Sequence, residues 1–375
     1  MQSHMTSRQR NRGFSIVELM VATTIAMLTA VVVLQVLNTY EARKRTVTIG
    51  NDAEINGAVG LYMVEREVRM AGAGFTTPTG LLCGNGINAY YDPDLIADGG
   101  AGDTLAVVQI TDGGAGPDSI RVLRSESDFG VAPGTIVVAM ATADADITVD
   151  GNVGLVDNDL FLAGAADGSK ICTLMQMTDD PEPTGNGWAL AHDSGGSDYN
   201  PANPATTFTT PIRYEVGDVV FNLGQLGLRE FGVICNDGAA PSLTNACNLV
   251  TYDAIAVPAP LTLAAVESIA SQVVDFQLQY GIAPAGSQTV NDWVDATGGW
   301  AAPSPANQQR IKAVRMSIVT RGNLERTMVS PDTLFLWDQG TASERSIALT
   351  DDQRYYRYKV LTVVVPLINV IWSGV

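Results

Sequence analysis

Gly13-Phe14, followed four residues later by Glu18, is the spacing in this sequence with the most chemical content. A small residue before an aromatic one can be cut by a peptidase, which would leave a cationic amine on Phe14. A carboxylate four residues along would pair with that amine, in its own chain or in the next copy of an assembly. The setting sharpens the point, because Glu18 is the one charge between Phe14 and Leu37. A lone carboxylate in lipid costs several kcal/mol, so it needs a partner. The alternative partner is the start of its own helix, through the dipole.

Other reactive types are few. Cys83, Cys172, Cys235 and Cys247 form no CxxC pair, and His4 and His192 are the only histidines. These spacings exclude an ordinary zinc site. Four cysteines allow three pairings. In an oxidising compartment Cys235 with Cys247 is the best pairing, since both lie in one Asn/Gly/Pro-rich region, and Cys83 with Cys172 follows by elimination. Buried free thiols are the other reading. His192, in AHDSGGSD, lacks a G-x-S-x-G elbow and reads as a surface loop residue. There is no phosphate loop of the G-x-x-x-x-G-K-[ST] type and no H-E-x-x-H. The chain therefore reads as a non-enzyme. Asp144, Asp146, Asp150, Asp157 and Asp159 offer oxygens for calcium, but without the EF-hand spacing. Solvated turns are the main reading there, calcium the alternative, and no other cofactor is expected.

Three elements must position these residues. Residues 1–13 hold Arg8, Arg10 and Arg12 and no acid, a cytoplasmic flank by the positive-inside rule. Residues 14–38 are long and apolar enough to span a bilayer as a helix. Residues 39–74 continue as an amphipathic helix, with apolar positions at Val47, Ala53, Ala58, Leu61, Val64 and Val68 and an i,i+4 pair of Glu65 with Arg69. Gly50, Gly57 and Gly60 permit bending or close approach of a neighbour, and Gly72 and Gly74 stop the helix. A helix from Phe14 to Ala71 would be about 87 Å long. No small core covers all of it, so lipid or other helices must bury its first half.

The remainder, residues 75–375, reads as a β-rich head. Val274, Phe276, Leu278 and Tyr280 alternate with Asp275, Gln277 and Gln279, which predicts a half-buried strand. Val314, Met316 and Ile318 alternate likewise. Leu105–Ile110, Ser119–Leu123 and Gly134–Ala139 are shorter strand candidates, and Val360–Trp372 reads as a buried or edge strand broken at Pro366. An inserted subdomain is expected within about 90–210. The fold class is α+β: a long N-terminal helix leading into a large antiparallel β-rich head. A formal net charge of −18 argues against direct nucleic-acid contact.

GFSIVELM, residues 13–20, resembles the prepilin-peptidase site of type IV pilins: basic leader, Gly, Phe, then an aliphatic stretch holding Glu. The resemblance implies cleavage after Gly13, N-methylation of Phe14, and a role for Glu18 in docking an incoming subunit. YMVEREVRMAGAGF (62–75) with Cys83 is similar to the stalk exit of PilW-type minor pilins. QVVDFQLQYGI (272–282), RIKAVRMSIVTRG (310–322) and the C-terminal YYRYKVLTVVVPLINVIW look like that family's late strands. Ile368-Asn369 stands where the family has an Arg-Asn pair. The resemblance implies a minor pilin of a type IV pilus that helps initiate assembly from the fibre tip. Its partners would be a prepilin peptidase, an inner-membrane assembly platform, and other minor pilins and the major pilin packed through N-terminal helices. It would begin as a single-pass inner-membrane protein, N-terminus cytoplasmic and head periplasmic, and end in the extracellular pilus. A GspJ-type pseudopilin of a type II secretion system and a tip adhesin are the alternatives.

Overall fold

The computed structural model describes residues 15–77, 80–81, 83, 86–90, 106–127, 132–208, 210, 212–236, 241–243, 245, 247–254, 265–325, 327–341 and 343–372. One α-helix, Ile16–Met70, opens it, and the chain divides into two compact units, Met1–Asp52 and Ala53–Val375. The helix stops where the sequence places two glycines: Gly72 and Gly74 take φ of 76° and 85°, a region that side chains with a Cβ avoid.

In the second unit, the helical residues from Ala53 onward pack on an antiparallel sheet of four strands. Its order is Asp292–Val294, Val273–Ile282, Ile311–Leu324 and Tyr356–Pro366. Gly57 and Gly60 make this approach possible. A Cβ on Gly60 would sit 3.1 Å from both the Ala270 Cβ and Leu249 Cδ2, and one on Gly57 would sit 2.7 Å from Leu361 Cδ1. Leu61, Val64, Val68 and Ala71 then share one core with Phe276, Leu278, Tyr280, Val314, Met316 and Ile318. Thr320 Oγ1 donates to the Ala53 carbonyl at 2.8 Å, a buried tie between sheet and helix.

The helix exit is fastened from two sides. The Gly72 N–H donates to the Leu123 carbonyl, the Ser125 N–H to the Ala73 carbonyl, and Arg124 pairs with Glu67 at 3.0 Å. Ser119–Ser125 belongs to a five-stranded sheet with Val108–Thr111, Leu226–Cys235, Cys247–Asp253 and Glu267–Ser271. From the far end of the chain, Asn369 Nδ2 donates to the Met70 and Ala71 carbonyls at 3.4 and 3.0 Å. Carbonyls of a helix's last turn lack partners within the helix, and this side chain supplies one.

Two expectations need correction. The strand Val273–Ile282 is buried along its whole length rather than on one face. Its polar side, Asp275, Gln277 and Gln279, lies beneath a hairpin of Thr333–Trp337 and Arg345–Ala348 and the loop 112–118. The second is the C-terminus. The strand ends at Pro366, which cannot donate to a ladder, and Ile368–Trp372 is a short helix. Leu105 lies outside the described residues.

The middle of the chain forms an eight-stranded sheet. Its order is Glu182–Thr184, Gly187–Leu190, Ile147–Val149, Gly134–Val138, Val219–Gly224, Leu160–Gly164, Cys172–Gln176 and Ile87–Asn88. Only the last pair is parallel. It has its own core of Ile136, Ile147, Val149, Phe161, Met175, Leu190, Tyr214 and Val220. Cys83 is joined to Cys172 and Cys235 to Cys247, the latter two residues facing each other across an antiparallel pair.

Gly60→Val should lower stability by about 1–3 kcal/mol through overpacking against Ala270 and Leu249. Gly185→Ala, at a site with nothing within 4 Å, should stay within about 0.5 kcal/mol. Asn369→Ala should cost about 1 kcal/mol by leaving helix carbonyls without a donor. Thermal melts of the detergent-solubilised chain measure all three.

Candidate functional site

Gly13 and Phe14 lie outside the described residues; Glu18 lies just inside them. Ser15 and Glu18 cap the helix reciprocally: the Ser15 N–H donates to Glu18 Oε2 at 3.0 Å, and the Val17 N–H donates to Ser15 Oγ at 3.3 Å. Two otherwise orphaned backbone donors are satisfied this way. The carboxylate is thus held at the start of its own helix, with the side chain exposed along with its neighbours. The signal was present in the sequence, since S-x-x-E before an apolar run is a capping box. The reading of Glu18 by charge alone passed over Ser15.

Ile16–Glu41 is long and apolar enough to cross a membrane, and none of it is buried by the chain's own fold. Ile16, Met20, Val21, Leu28, Val32 and Val36 are all more than half exposed. The threonines interrupting this surface hide their hydroxyls in the helix. Thr23, Thr24, Thr29 and Thr39 each donate to the carbonyl four residues back, at 2.7–3.0 Å. In a solvent without hydrogen-bonding partners, that internal bonding is what makes a hydroxyl tolerable. Within the second unit, the helix presents a further stripe: Ile55, Val59, Tyr62 and Met70 are exposed while Ala53, Gly57, Gly60, Leu61, Val64 and Val68 face inward.

The remaining sequence-derived residues do not converge. Asp150 Oδ1 accepts from the Thr135 N–H, Asp159 Oδ2 from the Val156 N–H, and Asp157 Oδ2 from Asn158 Nδ2. Asp144 and Asp146 are exposed, and a hydrogen bond from Thr142 lowers the pKa of Asp144. Among the described residues no three metal-ligating side chains come together. His192 is buried, not a surface loop residue. Its Nε2 lies 3.1 Å from the Ala145 carbonyl and its ring meets Phe161 edge-on. Burial pushes its pKa down, so it is held neutral.

The head holds one polar assembly that the sequence does not announce. The Arg315 guanidinium stacks between Trp293 and Trp337, at 4.9 and 4.6 Å from the ring centroids. It also pairs with Asp338 at 2.7 Å and donates to Gln279 Oε1. Alternation marks Arg315 as an outward residue of its strand; what covers that face comes from residues about 20 positions away on either side and is invisible locally.

Residues 236–369 match the family model of the type IV pilus-assembly protein W, and residues 8–34 match the prokaryotic N-terminal methylation motif. The first match covers most of the four-stranded sheet and its hairpin; the second covers the capped start of the apolar helix. No curated protein and no solved structure matches the chain. A methylation motif opening an exposed apolar helix, and a pilus-assembly match over the last part of the head, together support a type IV pilin-like minor pilin.

Proposed function

We propose that this chain is a structural, non-enzymatic minor pilin that helps to initiate a type IV pilus and occupies the fibre tip. The observation that carries this reading is the helix Ile16–Glu41, wholly uncovered by its own chain and starting in a methylation motif. An apolar helix of that kind needs lipid first and neighbouring helices afterwards. The exposed Ile55, Val59, Tyr62 and Met70, on one helix face with Arg66 among them, support assembly as well, since exposed apolar side chains can serve as contact sites. The partners would be other minor pilins and the major pilin, met through these helices, and the inner-membrane assembly platform.

Arg8, Arg10 and Arg12 support a cytoplasmic N-terminus with the head in the periplasm. A prepilin peptidase would cut after Gly13, and Phe14 would become the methylated N-terminus. The bulk of the head supports a tip position, because repeating it along a thin fibre would crowd its neighbours. The eight-stranded sheet, with its separate core, lies outside both matched segments and favours an added role in contact with a surface.

Deleting the gene should reduce surface pili counted by electron microscopy, and a plasmid copy should restore them. Unchanged counts would move the chain to a secretion pseudopilus or a dispensable tip function. Gly13→Glu should leave the leader attached, read as an unprocessed mass. The cap at Ser15 makes two variants of Glu18 informative. Glu18→Gln keeps a side chain able to cap and removes the charge; Glu18→Ala removes both. Both should insert into the membrane and enter fibres poorly. If Glu18→Gln assembles normally while Glu18→Ala does not, the cap rather than the charge is what assembly requires.

A further inference from the structure

Under the hairpin, two carboxylates are buried with too little positive charge. Asp118 is 4% exposed and Asp275 8%. Asp118 Oδ1 accepts from the Gly113 N–H at 2.9 Å and Oδ2 from the Leu278 N–H at 2.7 Å, so it joins the loop 112–118 to the central strand. Asp275 Oδ1 accepts from the Phe276 N–H and from Gln277 Nε2, both at 2.9 Å. Gln277 Nε2 also donates to the Gly116 carbonyl at 2.9 Å. Arg345, from the hairpin, donates to Gln277 Oε1 and to the Gly114 carbonyl. Loop, strand and hairpin therefore meet at one polar cluster.

The charges do not balance. Among the described residues, Asp112 and Arg345 are the charged groups acting on Asp118, and Arg345 acts on Asp275. Two buried carboxylates and a third nearby share one guanidinium. The loop that carries Asp118 turns tightly: a Cβ on Gly113 would lie 2.1 Å from the Pro117 carbonyl, and Gly114 sits at φ 65°. Burial is the largest influence on each acid and raises its pKa, Asp118 to about 7, against the opposing pull of the backbone donors.

We propose that Asp118 and Asp275 form a proton-operated latch: protonation of these two buried acids keeps the loop 112–118 and the hairpin seated on the four-stranded sheet, and loss of the protons to bulk water in alkaline solution loosens them. Burial raises both pKa values, and that of Asp118 sets the pH range. The sign follows from linkage. The folded chain binds these protons more tightly than the unfolded chain does, with a model carboxylate at 3.8. The stabilisation is therefore complete below the unfolded value and is lost as pH rises through about 7.

The test uses the full chain in detergent, with thermal midpoints and limited proteolysis of the hairpin at about pH 5.5 and about pH 8.5. The midpoint should fall and hairpin cleavage should quicken at the higher pH. Asp118→Asn with Asp275→Asn should flatten both responses, whatever its baseline stability. Arg345→Gln, which removes the cation, should carry the response to higher pH. A pH-independent wild type, or a double variant that keeps the full response, overturns the latch. If the double variant does not fold, infrared difference spectra of the chain carrying Glu18→Gln decide the matter. A protonated-carboxyl band that disappears near pH 7 supports the latch, and its absence overturns it.

Discussion

The head depends on how closely its helix approaches the four-stranded sheet, and that distance is set by two absent side chains. With no Cβ at Gly57 or Gly60, the helix lies against Leu361, Thr320, Ala270 and Leu249. Leu61, Val64 and Val68 then enter the same core as Phe276 and Ile318. Glycine lowers helix propensity by about 1 kcal/mol relative to alanine. The packing it permits repays that cost. A helix so placed has one face committed to the core and the other left over, and the leftover face carries Ile55, Val59, Tyr62 and Met70. One element thus supplies part of the core and leaves apolar side chains exposed.

The opposite side of the sheet follows a different chemistry. Its strands turn Asp275, Gln277, Gln279, Arg315 and Ser317 toward the hairpin, and none of these is more than 8% exposed. A buried polar layer is tolerable only when its members satisfy one another. Here Gln279 receives Arg315 and donates to Asp295, while Trp293 and Trp337 face the guanidinium. Such a layer is directional in a way an apolar one is not. A hairpin resting on hydrophobic residues could slide, whereas one holding Arg315 through Asp338 cannot shift without breaking that pair.

What could be read from the sequence was what depends on local periodicity and local backbone limits. The apolar helix, its stop at Gly72 and Gly74, and the alternating strands around Phe276 and Met316 all declare themselves within a few residues. The long-range arrangement did not. Gly134–Val138 pairs with Val219–Gly224 about 80 residues away, and the strands between are three to five residues long. Strands so short carry little periodic signal. The alternation at 273–282 correctly separated two faces, but polarity was taken for exposure. The hairpin from 333–348 and the loop 112–118 bury the polar one. At the N-terminus the local signal holds more than the charge: Glu18 is the one charge in its apolar run, and Ser15, three residues before it, is its capping partner.

The clasp of Asn369 on the Met70 and Ala71 carbonyls also has a meaning in time. A ribosome completes the stalk helix 299 residues before it reaches Asn369. The strand Tyr356–Pro366, which supplies Leu361 against Gly57, comes almost as late. Until those residues are made, the apolar inner face of the helix lacks its final lining and its terminal cap. Domains fold as units, and this unit is incomplete until its last segment arrives. The helix therefore cannot take its final place in the head until the segment from Tyr356 to Asn369 has been made. A shortened transcript or an early stop would yield a helix with no finished surface to rest on, rather than a smaller head.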